Sequence, residues 1–358
     1  MWQRQDRNRI SWLKIVSLSF TMVLWGAGMV FPAETKTAAD FFKGATIRII
    51  APYAPGGSSD AAMRVPAPFL EKFTGARVVV ENMPGSGGYV GLRYIYSKVK
   101  PDGLTLGMFN PPGAFLAELM GQKEATWKLQ ELSYIGRVLR GSGGIMMVGK
   151  SSSIRTVEDL LKTKREIKCA TIDPTTASSM NAALAAEALG IHLKIVPGFQ
   201  NGKICGIAVL RGEIEMTIQP PAGFEEEFKK GDLRAISIAA GREVALTFQS
   251  LFASVPRLID LPLSPEKKIY IGLSNYLNDV GFVMAGPPGI PKDRVQFLEN
   301  ALARALKEPQ VARILEASGY AFSPLSGTEY LQILKGAEKV VSDISVKSLN
   351  HILFEKYY

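Results

Sequence analysis

Two glycine-rich stretches carry the clearest chemical signal in the chain: Tyr53-Ala54-Pro55-Gly56-Gly57-Ser58-Ser59-Asp60 and Pro84-Gly85-Ser86-Gly87-Gly88. Each stands between an apolar, β-branched run and a run of helical character. Glycines there let backbone N–H groups converge on one concavity, where the dipole of the following helix favours an anion. A turn plus N-cap explains either loop alone. Two such loops at the carboxyl ends of adjacent strands point to a ligand edge of an open α/β sheet. A third stretch, Asp173-Pro174-Thr175-Thr176-Ala177-Ser178-Ser179, offers hydroxyls and free N–H groups before an alanine-rich helix. It reads equally as a hydroxyl-rich cap or as a hold on a ligand's polar end.

Other chemistries find little support. No GxxxxGK[ST] is present, and Gly85-Ser86-Gly87-Gly88-Tyr89-Val90 has Val where a dinucleotide fingerprint needs its last Gly. Gly56-Gly57-Ser58-Ser59-Asp60 lacks the closing Gly of a nucleophile elbow. The two histidines, His192 and His351, lie far apart and read as structural or solvent-facing, which argues against a His-based zinc site. Cys169 reads as core; a bridge to Cys205, the other cysteine, is not decided by spacing. The Glu225-Glu226-Glu227 run reads as a solvated helix face. No set of nucleophile, base and orienter emerges, so no cofactor and no metal are expected. A net charge of +9 hints at an anionic partner, but no aromatic-interleaved basic cluster suggests nucleic acid.

The elements that must position these loops follow from periodicity. Thr46–Ile50, Ala76–Glu81 and Leu104–Phe109 read as strands, alternating with helices from Ser58–Asp60 towards Phe73 and from Tyr89 to Lys98. Pro66 and Pro68 predict a kink or restart in the first helix, and Gly75 its end. Strands at Ile145–Val148, Glu166–Ile172, Lys194–Val196, Glu215–Ile218 and Ala235–Ala239 repeat the pattern. Thr156-Val157-Glu158-Asp159 resembles a capping box, and helices are expected over Met180–Leu189 and Lys203–Leu210. Towards the C-terminus Pro291 suits a first helical residue before Lys292–Lys307, with helices near Val311–Ser318 and Thr328–Ser348. The order predicts mostly parallel sheets with helices on both faces.

Length and composition bound the assembly. The 358 residues, 47% hydrophobic and 21% charged, are globular and sufficient for two domains. Arg4, Arg7, Arg9 and Lys14 precede an apolar run from Ile15 to Phe31, the layout of an export signal with cuts after Ala33 or Ala39. An uncleaved anchor and a buried N-terminal helix are the other readings. No cysteine near the cut offers a lipid anchor. Residues 1–39 hold +3 of the charge and the remainder +6.

Three motifs in order then resemble a known family: the Tyr53–Asp60 stretch, Val78-Val79-Val80-Glu81-Asn82-Met83-Pro84-Gly85-Ser86-Gly87-Gly88, and Pro101-Asp102-Gly103-Leu104-Thr105-Leu106. They resemble the extracytoplasmic solute receptors of tripartite tricarboxylate transporters, the TctC/Bug proteins. Arg211–Met216, Asp232–Ile236 and Gly286–Pro291 look like further segments of that family. The resemblance implies an α/β, periplasmic-binding-protein type II-like fold, with two lobes around a ligand cleft. Residues 40–144 and 258–358 would form lobe 1 and 145–257 lobe 2, behind a 1–39 signal. It implies that Tyr53, Ala54, Pro55, Gly56, Gly57, Ser58, Ser59 and Asp60, with Gly85, Ser86, Gly87, Gly88 and Asn110, would hold a carboxylate from lobe 1. Thr171, Thr175, Thr176, Ala177, Ser178, Phe199 and Gln219 would close from lobe 2. Departures fall in lobe 2: Ser179 stands where the family often has His, Pro197-Gly198-Phe199-Gln200 where "PYKG" is common, and Gln219 where many members are acidic. The expected protein is a periplasmic, monomeric, non-catalytic receptor that delivers a di- or tricarboxylate or an aromatic acid to a membrane permease. A ligand sensor for a membrane signalling protein, or an envelope enzyme on the same fold, are the rival readings.

Overall fold

Chain segments that alternate β-branched residues with glycine breaks can bury both faces of a sheet only by alternating with helices. The computed structural model describes residues 37–358 apart from 57–59, 61–62, 142–143, 240–247, 318–320 and 343. The expected export signal lies outside the described residues. Among the described residues no helix is long and apolar enough to cross a membrane.

A short helix α1 (Ala38–Phe42) leads into β1 (Thr46–Ala51). Helix α2 (Ala67–Thr74) restarts behind Pro66, as the prolines require, and Gly75 ends it at φ 69° with its N–H on Glu71 O. The chain continues through β2 (Arg77–Asn82), α3 (Tyr89–Lys98), β3 (Thr105–Phe109), α4 (Pro112–Leu119) and β4 (Ser133–Leu139). A second series runs β5 (Ile145–Gly149), α5 (Val157–Lys162), β6 (Ile167–Ala170), α6 (Ala177–Leu189) and β7 (Leu193–Val196). It goes on through α7 (Gly202–Leu210), β8 (Met216–Gln219), α8 (Glu225–Lys230) and β9 (Leu233–Ile238). The return comprises α9 (Pro265–Val280), β10 (Phe282–Gly286), α10 (Lys292–Leu306), α11 (Pro309–Ala317), β11 (Leu325–Ser326), α12 (Gly327–Ser342) and α13 (Val346–Phe354).

The strands form two sheets, ordered β11-β4-β10-β3-β1-β2 and β7-β6-β8-β5-β9. Both are mixed, which corrects the mostly parallel expectation. Strand β1 runs parallel to β2 and β3, but β10 is antiparallel to β3 and β4. In the second sheet β6 is parallel to β7 and β8, while β5 is antiparallel to β8 and β9. The capping box is present, with Asp159 N donating to Thr156 Oγ1 and Thr156 N to the Asp159 carboxylate. Three expected boundaries shift. Helix α6 begins at Ala177 rather than Met180, Pro291 is the N-cap of α10, and the last helix is two, α12 and α13. Both cysteines are buried and unbridged.

Helices α2, α10 and α11 cover one face of the first sheet through Leu70, Leu298, Leu302 and Leu315. The other face belongs to a core that continues into the second sheet, from Leu92, Phe115 and Trp127 to Ile167, Met180 and Leu184. Helix α6 lies at its centre. Its alanines at 182, 183, 185, 186 and 188 are buried, so α9 packs closely along it and α13 also touches it. A buried polar knot fixes that crossing: Ser274 Oγ and Asn278 Nδ2 donate to Asn181 Oδ1 at 2.8 and 3.1 Å. At the open edge of β7, Ile195 N donates to Tyr357 O at 2.6 Å. The Tyr357 hydroxyl and Lys356 Nζ anchor that tail on Glu187 of α6.

Candidate functional site

Strand β1 ends in Ala51, and the loop behind it is tied to the end of β2 by one carboxylate. Asp60 accepts from Gly56 N at 3.2 Å, Arg64 Nε at 3.0 Å and Asn82 Nδ2 at 2.8 Å. Asn82 Nδ2 also donates to Tyr53 O. Burial alone would push the Asp60 carboxyl up, but these donors outweigh it and hold the group below the usual carboxylate range. Asp60 is thus a tie between two loops. The Tyr53 ring carries the third strand into the same corner, because its hydroxyl meets both the O and the N of Asn110 at 3.1 Å.

The second glycine loop has a backbone that few sequences could adopt. Ser86, Gly87 and Gly88 stand at φ 46°, 60° and 106°, and Ser86 is the one non-glycine residue at positive φ among the described residues. The loop lies against the Asp173–Thr176 turn that precedes α6. A Cβ on Gly87 would overlap Thr175 Oγ1 and come within 3.3 Å of Asp173 Oδ1. Gly113, in the first turn of α4, makes a similar approach: a Cβ there would stand 3.1 Å from the Thr175 carbonyl carbon.

Across the gap, the Asp173 turn consumes its own hydroxyls. Asp173 Oδ1 accepts from Thr175 N at 2.9 Å and Thr175 Oγ1 at 2.6 Å. Thr176 Oγ1 and Ser179 Oγ both donate to Asp173 O at 2.7 Å, and Ser178 Oγ lies 3.1 Å from Thr176 Oγ1. These bonds shape the turn that launches α6.

Between these loops lies a cavity of about 400 Å³, in the size range of small-ligand sites. Of the residues singled out from sequence, Tyr53, Ala54, Gly56, Gly85, Gly87, Gly88, Asn110, Thr175, Thr176, Ala177, Ser178 and Gln219 line it. Pro55, Asp60, Ser86, Thr171 and Phe199 are outside its wall. Pro55 and Ser86 are exposed, and Thr171 is fully buried with its amide on Val196 O. Phe199 is half-buried beside Gln200, which does line the cavity. Gly57, Ser58 and Ser59 lie outside the described residues.

Sequence reasoning missed part of the wall: Asn181 and Asn278 of the buried knot, Asn201 and Lys203 at the start of α7, and Phe224 and Phe282. The Asn201 cap, whose Oδ1 accepts from Ile204 N at 3.1 Å, was the available signal for the α7 corner. The walls combine backbone, amide and apolar groups. Among the described residues no cluster of three or more His, Cys, Asp or Glu could hold a metal. Burial pushes the Cys205 thiol up to about 12, so it is not a ready nucleophile.

The chain has relatives that match over most of its length. A protein of Cupriavidus necator, described as a UPF0065 protein in the gbd 5' region, is 27% identical over 283 residues, 78% of this chain and 79% of its own. MatC from Rhodopseudomonas palustris, solved with bound malate, superposes with a TM-score of 0.65 at 18% identity, over 86% of this chain and 99% of that one. The periplasmic binding protein BugD gives 0.64 at 18% identity, over 84% and 97%. At such identities these structures speak for the fold, two α/β lobes with a cleft between them. The model of the tripartite tricarboxylate transporter family receptor, TctC, matches residues 62–344. The chain therefore belongs to the TctC family of transporter receptors, proteins that bind solutes and are not enzymes.

Proposed function

We propose that the protein is an extracytoplasmic receptor that takes up a small carboxylate in the cavity and presents it to a tripartite transporter permease. The observation that carries this reading is the convergence of the loops after β1, β2 and β3 on one cavity. Backbone amides of glycine loops at helix starts favour an anion without a fixed counter-charge, which leaves release compatible with capture. Malate in MatC supports a carboxylate of this size.

The two walls belong to different sheets, so closure in this reading is a movement of the β5–β9 sheet, together with the α9 and α13 helices packed on α6, against the first sheet. On this reading the approach of Gly87 and Gly113 to Thr175 belongs to the closed state. Ligand contacts with both walls shift the population towards it, and the closed shape is what a permease would read. The N-terminal basic and apolar stretch supports export to the periplasm.

A thermal-shift screen of the purified protein against di- and tricarboxylates and aromatic acids tests the reading. A carboxylate at 100 times its Kd should stabilise the fold by about 2.7 kcal/mol. Stabilisation by uncharged solutes alone would refute it.

A further inference from the structure

Resting on the reading of the cavity as a carboxylate site, we infer that Asn181 and Asn278 form a neutral amide subsite in its wall. The subsite takes an uncharged ligand group that both donates and accepts a hydrogen bond, a hydroxyl or a carboxamide. Both side chains line the cavity, at 4% and 5% exposure. Asn181 stands in α6 one turn beyond Ala177 and Ser178, which also line the cavity, so the three share a helix face. Asn278 lies near the end of α9. A Cβ on Gly141, another residue of the wall, would stand 3.1 Å from its Oδ1.

One backbone group sets the orientation of both amides. The Ser274 carbonyl can only accept, so the atom of Asn278 that lies 2.7 Å from it is Nδ2. That Nδ2 also donates to Asn181 at 3.1 Å, which makes the facing atom of Asn181 its oxygen. Ser274 Oγ gives the same oxygen a second donor at 2.8 Å. Asn181 Nδ2 and Asn278 Oδ1 are left over. Neither has a partner among the described residues, and both keep accessible surface. A fixed donor and a fixed acceptor on side chains otherwise buried cost free energy until a ligand group satisfies them. A carboxylate only accepts, and would meet the Asn278 oxygen. An ammonium only donates, and would meet the Asn181 N–H groups. A hydroxyl or a carboxamide satisfies both. The acid of the ligand is left to the glycine loops, and the knot that fixes α9 across α6 reads an uncharged part of the same molecule.

Calorimetry on the purified wild type compares acids with partners that lack the group: malate with succinate, 3-hydroxybutyrate with butyrate, and 4-hydroxybenzoate with benzoate. The carboxamide arm compares succinamate with levulinate, in which a methyl replaces the NH2. At least one pair should favour the member with the group by about 10- to 100-fold, the range of two neutral hydrogen bonds. Asn181→Ala should bring that ratio to within about threefold of unity. Ser274→Ala separates this role from packing, because Ser274 is fully buried and outside the cavity wall. It should lower the melting temperature yet keep the ratio within about threefold of wild type, since Asn278 still orients Asn181. Ratios within threefold of unity in every wild-type pair overturn the inference and leave the carboxylate site standing, whether or not Asn181→Ala folds. A preference that survives Asn181→Ala, or one lost equally in Ser274→Ala, overturns it as well. Failure of every acid to bind overturns the proposed function itself, and the inference with it.

Discussion

Closing of the cleft can be blocked without touching a ligand group, by adding one methyl group at Gly113. This residue has no left-handed φ, so alanine fits its backbone, and in a helix the change favours folding by up to about 1 kcal/mol. In this structure the new Cβ would be 3.1 Å from the Thr175 carbonyl carbon, nearer still to its oxygen, and 3.3 Å from Met180 Cε. The partner is backbone, so no rotamer change relieves it. Overlap of this kind costs about 1–3 kcal/mol, and only when the walls meet. The apparent Kd should therefore rise about 5- to 150-fold with an undiminished melting temperature of the ligand-free protein. The assay is built in. In a chain starting at Ala38, Trp127 is the one tryptophan. Its Nε1 donates to Ala114 O at 3.1 Å and its ring lies 4.9 Å from that of Tyr89, beside both approaching segments. Ligand-induced change in Trp127 fluorescence should weaken in Gly113→Ala. The control is Gly272→Ala in α9, where a Cβ meets nothing within 4 Å. Unaltered affinity in Gly113→Ala, or an equal loss in Gly272→Ala, would refute closure through this contact.

Three further outcomes are expected. In Gly87→Ala the overlap is with the Thr175 side chain, so adding Thr175→Gly should recover part of the lost ligand affinity, measured by calorimetry. Asp60 has a lowered carboxyl in the fold, so its stabilisation is present above the ordinary carboxylate value of 3.8 and is lost as pH falls through the lowered one. Urea unfolding should therefore find Asp60→Asn less stable than wild type by about 1–3 kcal/mol at pH 7, with the gap closing below pH ~4. Tyr357→Ala removes a buried ring and its bond to Glu187, and the Ile195 amide should lose much of its hydrogen-exchange protection while β1 amides keep theirs.

The first sheet's ligand edge was legible because its signals are local. Gly75, Gly85–Gly88 and Pro66 act on their own backbone, and the strands they bound begin or end within a residue or two of expectation. What escaped depends on partners remote in the chain. Strand β4 and strand β10 are apolar runs whose antiparallel pairing, Phe282 opposite Leu139, no local pattern announces. Helix α6 starts early because Thr176 and Asp173 organise a turn out of hydroxyls that read as free donors. Lys203 was not singled out, since only tertiary folding brings α7 to the cavity. Asn181 was masked by its alanine-rich surroundings, and its partners Ser274 and Asn278 come from an unanticipated helix.

The placing of β10 between β3 and β4 also sets the order in which the molecule can form. Strands β5 to β9 are contiguous in the chain, and their sheet can assemble from neighbours alone. The first sheet cannot join β3 to β4 until β10, made after the whole second sheet, arrives to lie between them. Pairings across such sequence separations are slow, because loop closure precedes any gain in contacts. Refolding should therefore show protection of β8 amides before those of β3. The cavity, walled by both sheets, comes into being last, and a stalled or shortened chain would hold a finished sheet but no place for a ligand.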